Sequence, residues 1–254
     1  MEIYGLVGWP LGHSFSRAFF TAKFEKEGLD AEYRNFEMEA TDSLRQLAEG
    51  MPMLRGLNVT IPHKGHVMPL LDELQEEARA IGAVNVIRVR HTADGRVWLK
   101  GYNSDVIGFS DSLRPLLEEY HNKALVLGTG GASKAVVYGL RKMGITPTYV
   151  SRHADSGEGS DIQRITYADL TPQMMDENKL IVNCSPVGMY PHTEEAPAIP
   201  YELLTPRHLL YDLVYNPEET LFLKKGAEQG CKCKNGLEML HLQALASWRF
   251  WHEE

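Results

Sequence analysis

The stretch from Lys123 to Gly144 constrains the fold more than any other part of the chain. Lys123–Leu127 is a short apolar run with strand character that passes straight into Gly128-Thr129-Gly130-Gly131-Ala132; a helical pattern then runs to Met143 and is closed by Gly144. Glycines between a buried strand and a helix let backbone N–H groups approach a pyrophosphate at the positive end of that helix. The third small position is Ser133 rather than Gly or Ala, and a plain βα turn is the competing reading of the cluster by itself. The intact strand and helix around it favour a dinucleotide site, and such a unit needs neighbours that build a parallel sheet.

The remaining chain supplies them. Ile3–Gly8, Tyr33–Met38 and Leu57–Ile61 read as strands, the last stopped by Pro62, with helices over Ser16–Lys26 and Ser43–Ala48. Val67–Ile81 reads as a helix with a break near Gln75. Ala83–Arg90 and Arg96–Lys100 flank Ala93-Asp94-Gly95 and predict a hairpin. Val106, Phe109, Leu113, Leu116 and Leu117 give Asp105–Tyr120 a helical period, and the division between a first and a second α/β half falls near it. Tyr149-Val150, Leu180–Cys184 and Leu209–Val214 follow as strands, and Glu218–Gln229 and Leu237–Trp251 as helices. Leu237, Leu240, Ala244, Trp248 and Trp251 form an apolar stripe on the last of these, suited to packing on the first half. Strands alternating with helices predict a doubly wound parallel sheet, and Ser156–Ser160 is the one small-residue stretch.

Composition narrows the partners. A net charge of -8 argues against nucleic acid. No run of 18 apolar residues argues for a membrane, and the start Met-Glu-Ile-Tyr-Gly lacks the basic and apolar regions of a signal peptide, so the expectation is a soluble cytoplasmic protein. Cys184, Cys231 and Cys233 are odd in number and lack C-x-x-C spacing, which predicts reduced, buried thiols. The histidines form no H-E-x-x-H pair, and His63 with His66 has no third ligand nearby, so no metal site is expected.

Two groups of residues carry chemistry. Twenty positions after Gly131, where a carboxylate would hold a ribose hydroxyl, stand Ser151-Arg152-His153. An arginine there suits a 2′-phosphate and favours NADP over NAD, the alternative being a solvated surface arginine. In the first half, Ser14 and Ser16, Asn58 to Lys64, Gly82 to Asn85, and Asn103-Ser104-Asp105 place hydroxyls and amides at strand ends. Such groups suit a polyhydroxylated small molecule bearing a carboxylate, although Ser16 and Asp105 would also serve as helix caps and Asn58 as a strand-edge bond. Lys64 with Asp105 is the candidate acid/base pair, since a lysine beside a carboxylate can move a proton at a hydroxyl or carbonyl.

Over nearly its whole length the chain resembles the shikimate dehydrogenases. The shared pieces are Ser14-Phe15-Ser16, Asn58–Lys64, Gly82–Asn85, Asn103 with Asp105, Gly128–Ala132, Asn183–Met189, Asp212–Pro217 and Gly236-Leu237 through Gln243-Ala244. The resemblance implies NADPH-dependent reduction of 3-dehydroshikimate to shikimate in the pathway to chorismate and the aromatic amino acids. It implies an α/β fold of two domains: a substrate domain of residues 1–104 plus 237–254, and a Rossmann-type NADP domain of residues 105–236 with a doubly wound parallel sheet, the terminal helix packing back on the first. Ser14, Ser16, Asn58, Thr60, Asn85, Asp105, Tyr215 and Gln243 would hold substrate, the two serines as a carboxylate clamp, and Lys64 would be the proton donor or acceptor. Gly128, Thr129, Gly130, Gly131 and Ala132 would cradle the pyrophosphate. Ser151, Arg152 and His153 would meet the adenosine phosphate, and Leu213 and Gly236 the nicotinamide.

Several positions depart from the family pattern. Ser151-Arg152-His153 replaces Asn-Arg-Thr, Thr129 and Lys134 stand for Ala and Arg, Arg17 for Pro, and Gly65 for Glu after the lysine. None removes a residue of the proposed chemistry. Quinate oxidation with NAD or dual cofactor use stays open, because one changed contact admits another hydroxyl. A non-catalytic shikimate or quinate sensor would be expected to carry an added partner domain, for which two domains leave little of the chain. A monomer and a homodimer are both compatible with the sequence.

Overall fold

Alternation along the first strand, β1 (Glu2–Gly8), sets the architecture of the N-terminal part: Ile3 and Val7 are buried in one cluster, Tyr4 and Leu6 in another, on the two faces of a sheet. The structure is a computed structural model and describes residues 1–12, 15–153 and 161–253. It divides into two compact units, Met1–Ser104 with Gln243–Glu254, and Asp105–Leu242.

The first unit holds α1 (Phe15–Glu27), β2 (Ala31–Glu37), α2 (Leu44–Glu49), β3 (Leu54–Val59), β4 (Glu73–Leu74), α3 (Glu76–Ile81), β5 (Val86–His91) and β6 (Val97–Tyr102). Its sheet runs β2-β1-β3-β5-β6-β4. β1, β2 and β3 are parallel, the β5–β6 hairpin is antiparallel, and β4 lies parallel to β6. The sheet is therefore mixed, because the Asp94-Gly95 turn returns the chain beside itself with no crossover helix. One face is covered by Leu44 and Ala48 of α2 and by Val67, the other by Phe20 and Phe24 of α1 and by Trp251.

The expected helix over Val67–Ile81 is reduced to a short 3-10 turn, Met68–Leu70, and to α3. Pro69 supplies no N–H for a continued helix. Asp72 is also drawn into the sheet, its backbone N–H reaching the Leu99 carbonyl and its carboxylate the Leu99 N–H.

The second unit holds α4 (Asp105–Leu113), β7 (Lys123–Leu127), α5 (Gly131–Lys142), β8 (Thr146–Ser151), β9 (Arg164–Thr166), α6 (Pro172–Glu177), β10 (Leu180–Asn183), β11 (Leu209–Asp212), α7 (Leu221–Glu228) and β12 (Lys232–Lys234). The order β12-β11-β10-β7-β8-β9 is parallel throughout. Ala124 and Val126 pack with Phe109 of α4 and with Val136 and Leu140 of α5. Leu125 and Leu127 pack on the opposite face with Met175 of α6 and Phe222 of α7, which makes the sheet doubly wound. The helix expected over Asp105–Tyr120 stops at Leu113 and tightens into a 3-10 turn at Arg114–Leu116, where Pro115 breaks it.

α8 (Leu237–Trp251) begins in the second unit, where Met239 joins the core around Phe109, and ends in the first, where Ala244 and Trp251 are buried. The expected stripe is corrected at Leu237, which is exposed. The cysteines are free thiols, but only partly buried at Cys184 and Cys231 and exposed at Cys233, which sits on the short edge strand β12.

Candidate active site

Strand ends and the last turns of α8 gather the polar side chains of the first unit. Asn58 is the penultimate residue of β3, Asn85 precedes β5, Ser104 follows β6, and Gln243 and Ser247 lie one turn apart on α8. Asn58 Oδ1 accepts from the Tyr33 hydroxyl at 2.8 Å, while its Nδ2 donates to Ser247 Oγ at 2.9 Å and to the Asn85 carbonyl at 3.4 Å. Asn85 Nδ2 donates to Ser104 Oγ at 3.0 Å and to Gln243 Oε1 at 3.4 Å. The Ser104 and Ser247 hydroxyls meet at 3.1 Å. Burial pushes the Tyr33 phenol up, so it stays a donor, and the Ser16 hydroxyl from α1 also reaches it.

Next to this cluster, a turn carries Lys64. The Thr60 carbonyl accepts from His63 N–H, and the Lys64 carbonyl accepts from Val84 N–H at 2.7 Å, immediately before Asn85. His63 is buried, and its Nε2 donates to the Met38 carbonyl. The turn is thus held from both sides, and the Lys64 it carries is half-buried.

In the second unit, the functional candidates lie at the carboxyl ends of the parallel strands, the usual place for a ligand in such a sheet. Gly128 has φ +100, a conformation that favours glycine, and a Cβ there would meet Ser185 at 3.3–3.4 Å. Gly130 forms the N-cap of α5 without a side-chain cap, and no heavy atom lies within 4 Å of where its Cβ would stand. This open, side-chain-free approach to the first turn of α5 fits a pyrophosphate. Ser133 is compatible with it, since its hydroxyl turns inward and donates to the Gly130 carbonyl at 2.7 Å. Arg152 and His153 are exposed just beyond β8, and the Ser151 hydroxyl donates to the His153 carbonyl. An exposed guanidinium at this strand end fits a 2′-phosphate.

Beneath these loops lies a buried polar clamp. Asp212 at the end of β11 accepts from Asn183 Nδ2 at 2.9 Å, from Val214 N–H at 3.0 Å and from the Thr220 hydroxyl at 2.6 Å. Asn183 Oδ1 in turn accepts from the Ser185 N–H and hydroxyl. Burial pushes the Asp212 carboxyl up to about 6 against the lowering effect of these donors. Gly236 passes close to the same loop, where a Cβ would stand 2.1 Å from the Leu213 carbonyl oxygen.

Of the residues expected from sequence, Asn58, Asn85 and Gln243 are joined through hydrogen bonds, Ser16 lies in α1 near Tyr33, and Thr60 and Lys64 belong to the adjoining turn. Gly128 to Ala132, Ser151 to His153, Leu213, Tyr215 and Gly236 belong to the second unit, as does the buried Asp105 in the first turn of α4. Ser14 and Ser156–Ser160 lie outside the described residues. Tyr33 and Ser247 were not anticipated; a tyrosine inside a strand and a serine inside a helix carry no motif of their own. Among the described residues no helix is long and apolar enough to cross a membrane.

Residues 6–87 match the family model described as shikimate dehydrogenase substrate binding domain. The chain is 38% identical to shikimate dehydrogenase (NADP(+)) of Desulforamulus reducens over 98% of this chain and 89% of that one. Among solved structures it is similar to a chorismate mutase/shikimate 5-dehydrogenase fusion protein from Clostridium acetobutylicum, with 37% identity, a TM-score of 0.87, and coverage of 99% of this chain and 91% of that one. It is also similar to shikimate 5-dehydrogenase from Thermus thermophilus in complex with NADP(H) and shikimate, with 30% identity, a TM-score of 0.84, and coverage of 99% and 93%.

Proposed function

The chain belongs to the shikimate dehydrogenase family, and from that premise we propose that it catalyses the reversible, NADPH-dependent reduction of 3-dehydroshikimate to shikimate in the cytoplasm. One observation carries the reading. The same chain has a buried cluster of hydroxyls and amides on its first unit and a glycine turn with open helix N–H groups at the carboxyl edge of an all-parallel sheet on its second.

In this proposal residues 1–104 with the end of α8 form the substrate domain, and the parallel sheet and its helices form the NADP domain. Ser14 and Ser16 clamp the substrate carboxylate, and Thr60, Asn85, Asp105, Tyr215 and Gln243 meet its ring oxygens. Asn58 meets the substrate beside Asn85, both oriented by amide hydrogens donated inside the protein. Gly128, Thr129, Gly130, Gly131 and Ala132 hold the pyrophosphate, while Ser151, Arg152 and His153 hold the 2′-phosphate. Leu213 and Gly236 shape the nicotinamide position, backed by the Asp212 clamp.

When bound, NADPH supplies the hydride to the ketone carbon. Lys64 gives the proton to the oxygen as it gains charge, and takes it back in the reverse direction, with Asp105 as the carboxylate of the pair, accepting from the substrate hydroxyl when shikimate is bound. The test is the appearance of NADPH absorbance when the purified protein is given shikimate and NADP⁺. Saturable turnover supports the proposal, and its absence in both directions contradicts it.

A further inference from the structure

The hydrogen bonds of the first unit fix the orientation of one amide from an unambiguous starting point. The Ser104 backbone N–H can only donate, and it donates to Asn85 Oδ1 at 2.7 Å. The other polar atom of Asn85 is therefore Nδ2, a donor only, and it faces Ser104 Oγ at 3.0 Å and the Gln243 side chain at 3.4 Å. Gln243 has to answer that donor with its oxygen, and Ser104 Oγ reaches the same Oε1 at 3.2 Å. A reversed Gln243 amide would set a donor against the Asn85 donor inside a largely buried site.

The proton count around Ser104 agrees. Its hydroxyl accepts from Asn85 and so has one proton to give, to Gln243 Oε1 or to Ser247 Oγ. Ser247 gives its own proton to the Gln243 backbone carbonyl at 2.8 Å and accepts from Asn58. With Oε1 held inward, Gln243 Nε2 meets no acceptor among the described residues.

We propose that Ser104 is a positioning residue: with Asn85 it locks the Gln243 amide so that only its Nε2 donor is presented to the substrate, which selects an acceptor oxygen at that place. This rests on the dehydrogenase reading above. The ligand group matched to Nε2 is a hydroxyl or carbonyl oxygen of the carbocycle; a donor-only group there would be rejected.

Steady-state kinetics with shikimate and NADP⁺ test it on the full chain and three variants. Ser104→Ala is expected to raise KM for shikimate about tenfold, with kcat and KM for NADP⁺ within about threefold of the unsubstituted protein. Ser104→Thr keeps the hydroxyl and is expected to return KM to within about threefold. Gln243→Glu turns an acceptor toward the substrate and is expected to raise KM for shikimate by about tenfold or more. An unchanged KM for Ser104→Ala overturns the inference, as does a Ser104→Thr variant impaired equally toward both ligands, which would mark a packing role. If Ser104→Ala does not fold, a Gln243→Glu variant with unchanged KM overturns it instead. Turnover absent from the unsubstituted protein overturns the dehydrogenase reading, and the inference falls with it; turnover present with Ser104→Ala unaffected overturns the inference alone.

Discussion

Asn58 donates an amide hydrogen to Ser247 Oγ at 2.9 Å across 189 positions of sequence, so the end of α8 is part of the first unit's polar cluster rather than an appendage. The aromatic packing around it explains how that end is held. Trp251 is buried, with its ring centroid 4.9 Å from that of Tyr4 and 5.0 Å from that of Phe20. The ring lies where a Cβ on Gly56 would stand, 2.3 Å from Trp251 Cδ1. Trp251→Ala is expected to cost about 3–5 kcal/mol of stability, and Gly56→Ala to destabilise by displacing the same ring. Urea unfolding checks both, and unchanged midpoints would contradict this packing.

Lys64→Ala is expected to lower turnover by about 10²- to 10⁴-fold, the usual share of a general acid/base. The far-UV spectrum should stay unchanged, because the Lys64 backbone carbonyl and His63 hold the turn. Turnover within a factor of about three of the unsubstituted protein would remove Lys64 from the chemistry.

Arg152→Ala is expected to raise KM for NADP⁺ by about tenfold or more while leaving KM for NAD⁺ unchanged, since only the former carries the phosphate that a guanidinium recognises. The exposed side chain makes a folding effect small. An equal change for both cofactors would show that Arg152 does not read the 2′-phosphate.

Acid should loosen the second unit at two histidines. His121 Nδ1 accepts from Glu118 N–H and His208 Nδ1 from Thr205 N–H, each at 2.9 Å, so both rings must be neutral to keep these bonds. Burial holds both imidazoles below their ordinary value. As pH falls through about 6.5, the unfolded chain takes up protons that the folded rings refuse, and stability is lost. Asp212 acts oppositely: its folded value of about 6 lies above that of a free carboxylate, so its contribution is present at low pH and lost as pH rises through about 6. The double variant His121→Asn/His208→Asn keeps an acceptor oxygen without the titration. Its urea midpoint should fall less than that of the unsubstituted protein between about pH 7.5 and about pH 5.5. Equal falls would refute the assignment.

Much of this was legible in the sequence because local pattern and tertiary role agree. β7 and α8 occur with the bounds that their apolar pattern indicates, and the glycine turn lies where strand meets helix. Val67–Ile81 misleads because Asp72 is claimed by β6, a long-range pairing with no local signal. β9 and β12 are too short and too polar to read in isolation, and they exist through parallel pairing with β8 and β11. In the site, Asn58, Asn85 and Gln243 stand in recognisable motifs. Tyr33 and Ser247 gain their roles only when β2 and α8 close on β3.

Initial rates of the purified protein with shikimate or quinate, each with NADP⁺ or NAD⁺, test the central claim most directly. The account predicts turnover dominated by shikimate with NADP⁺. Dominant turnover of quinate or with NAD⁺, or shikimate binding without turnover in any pairing, would contradict it.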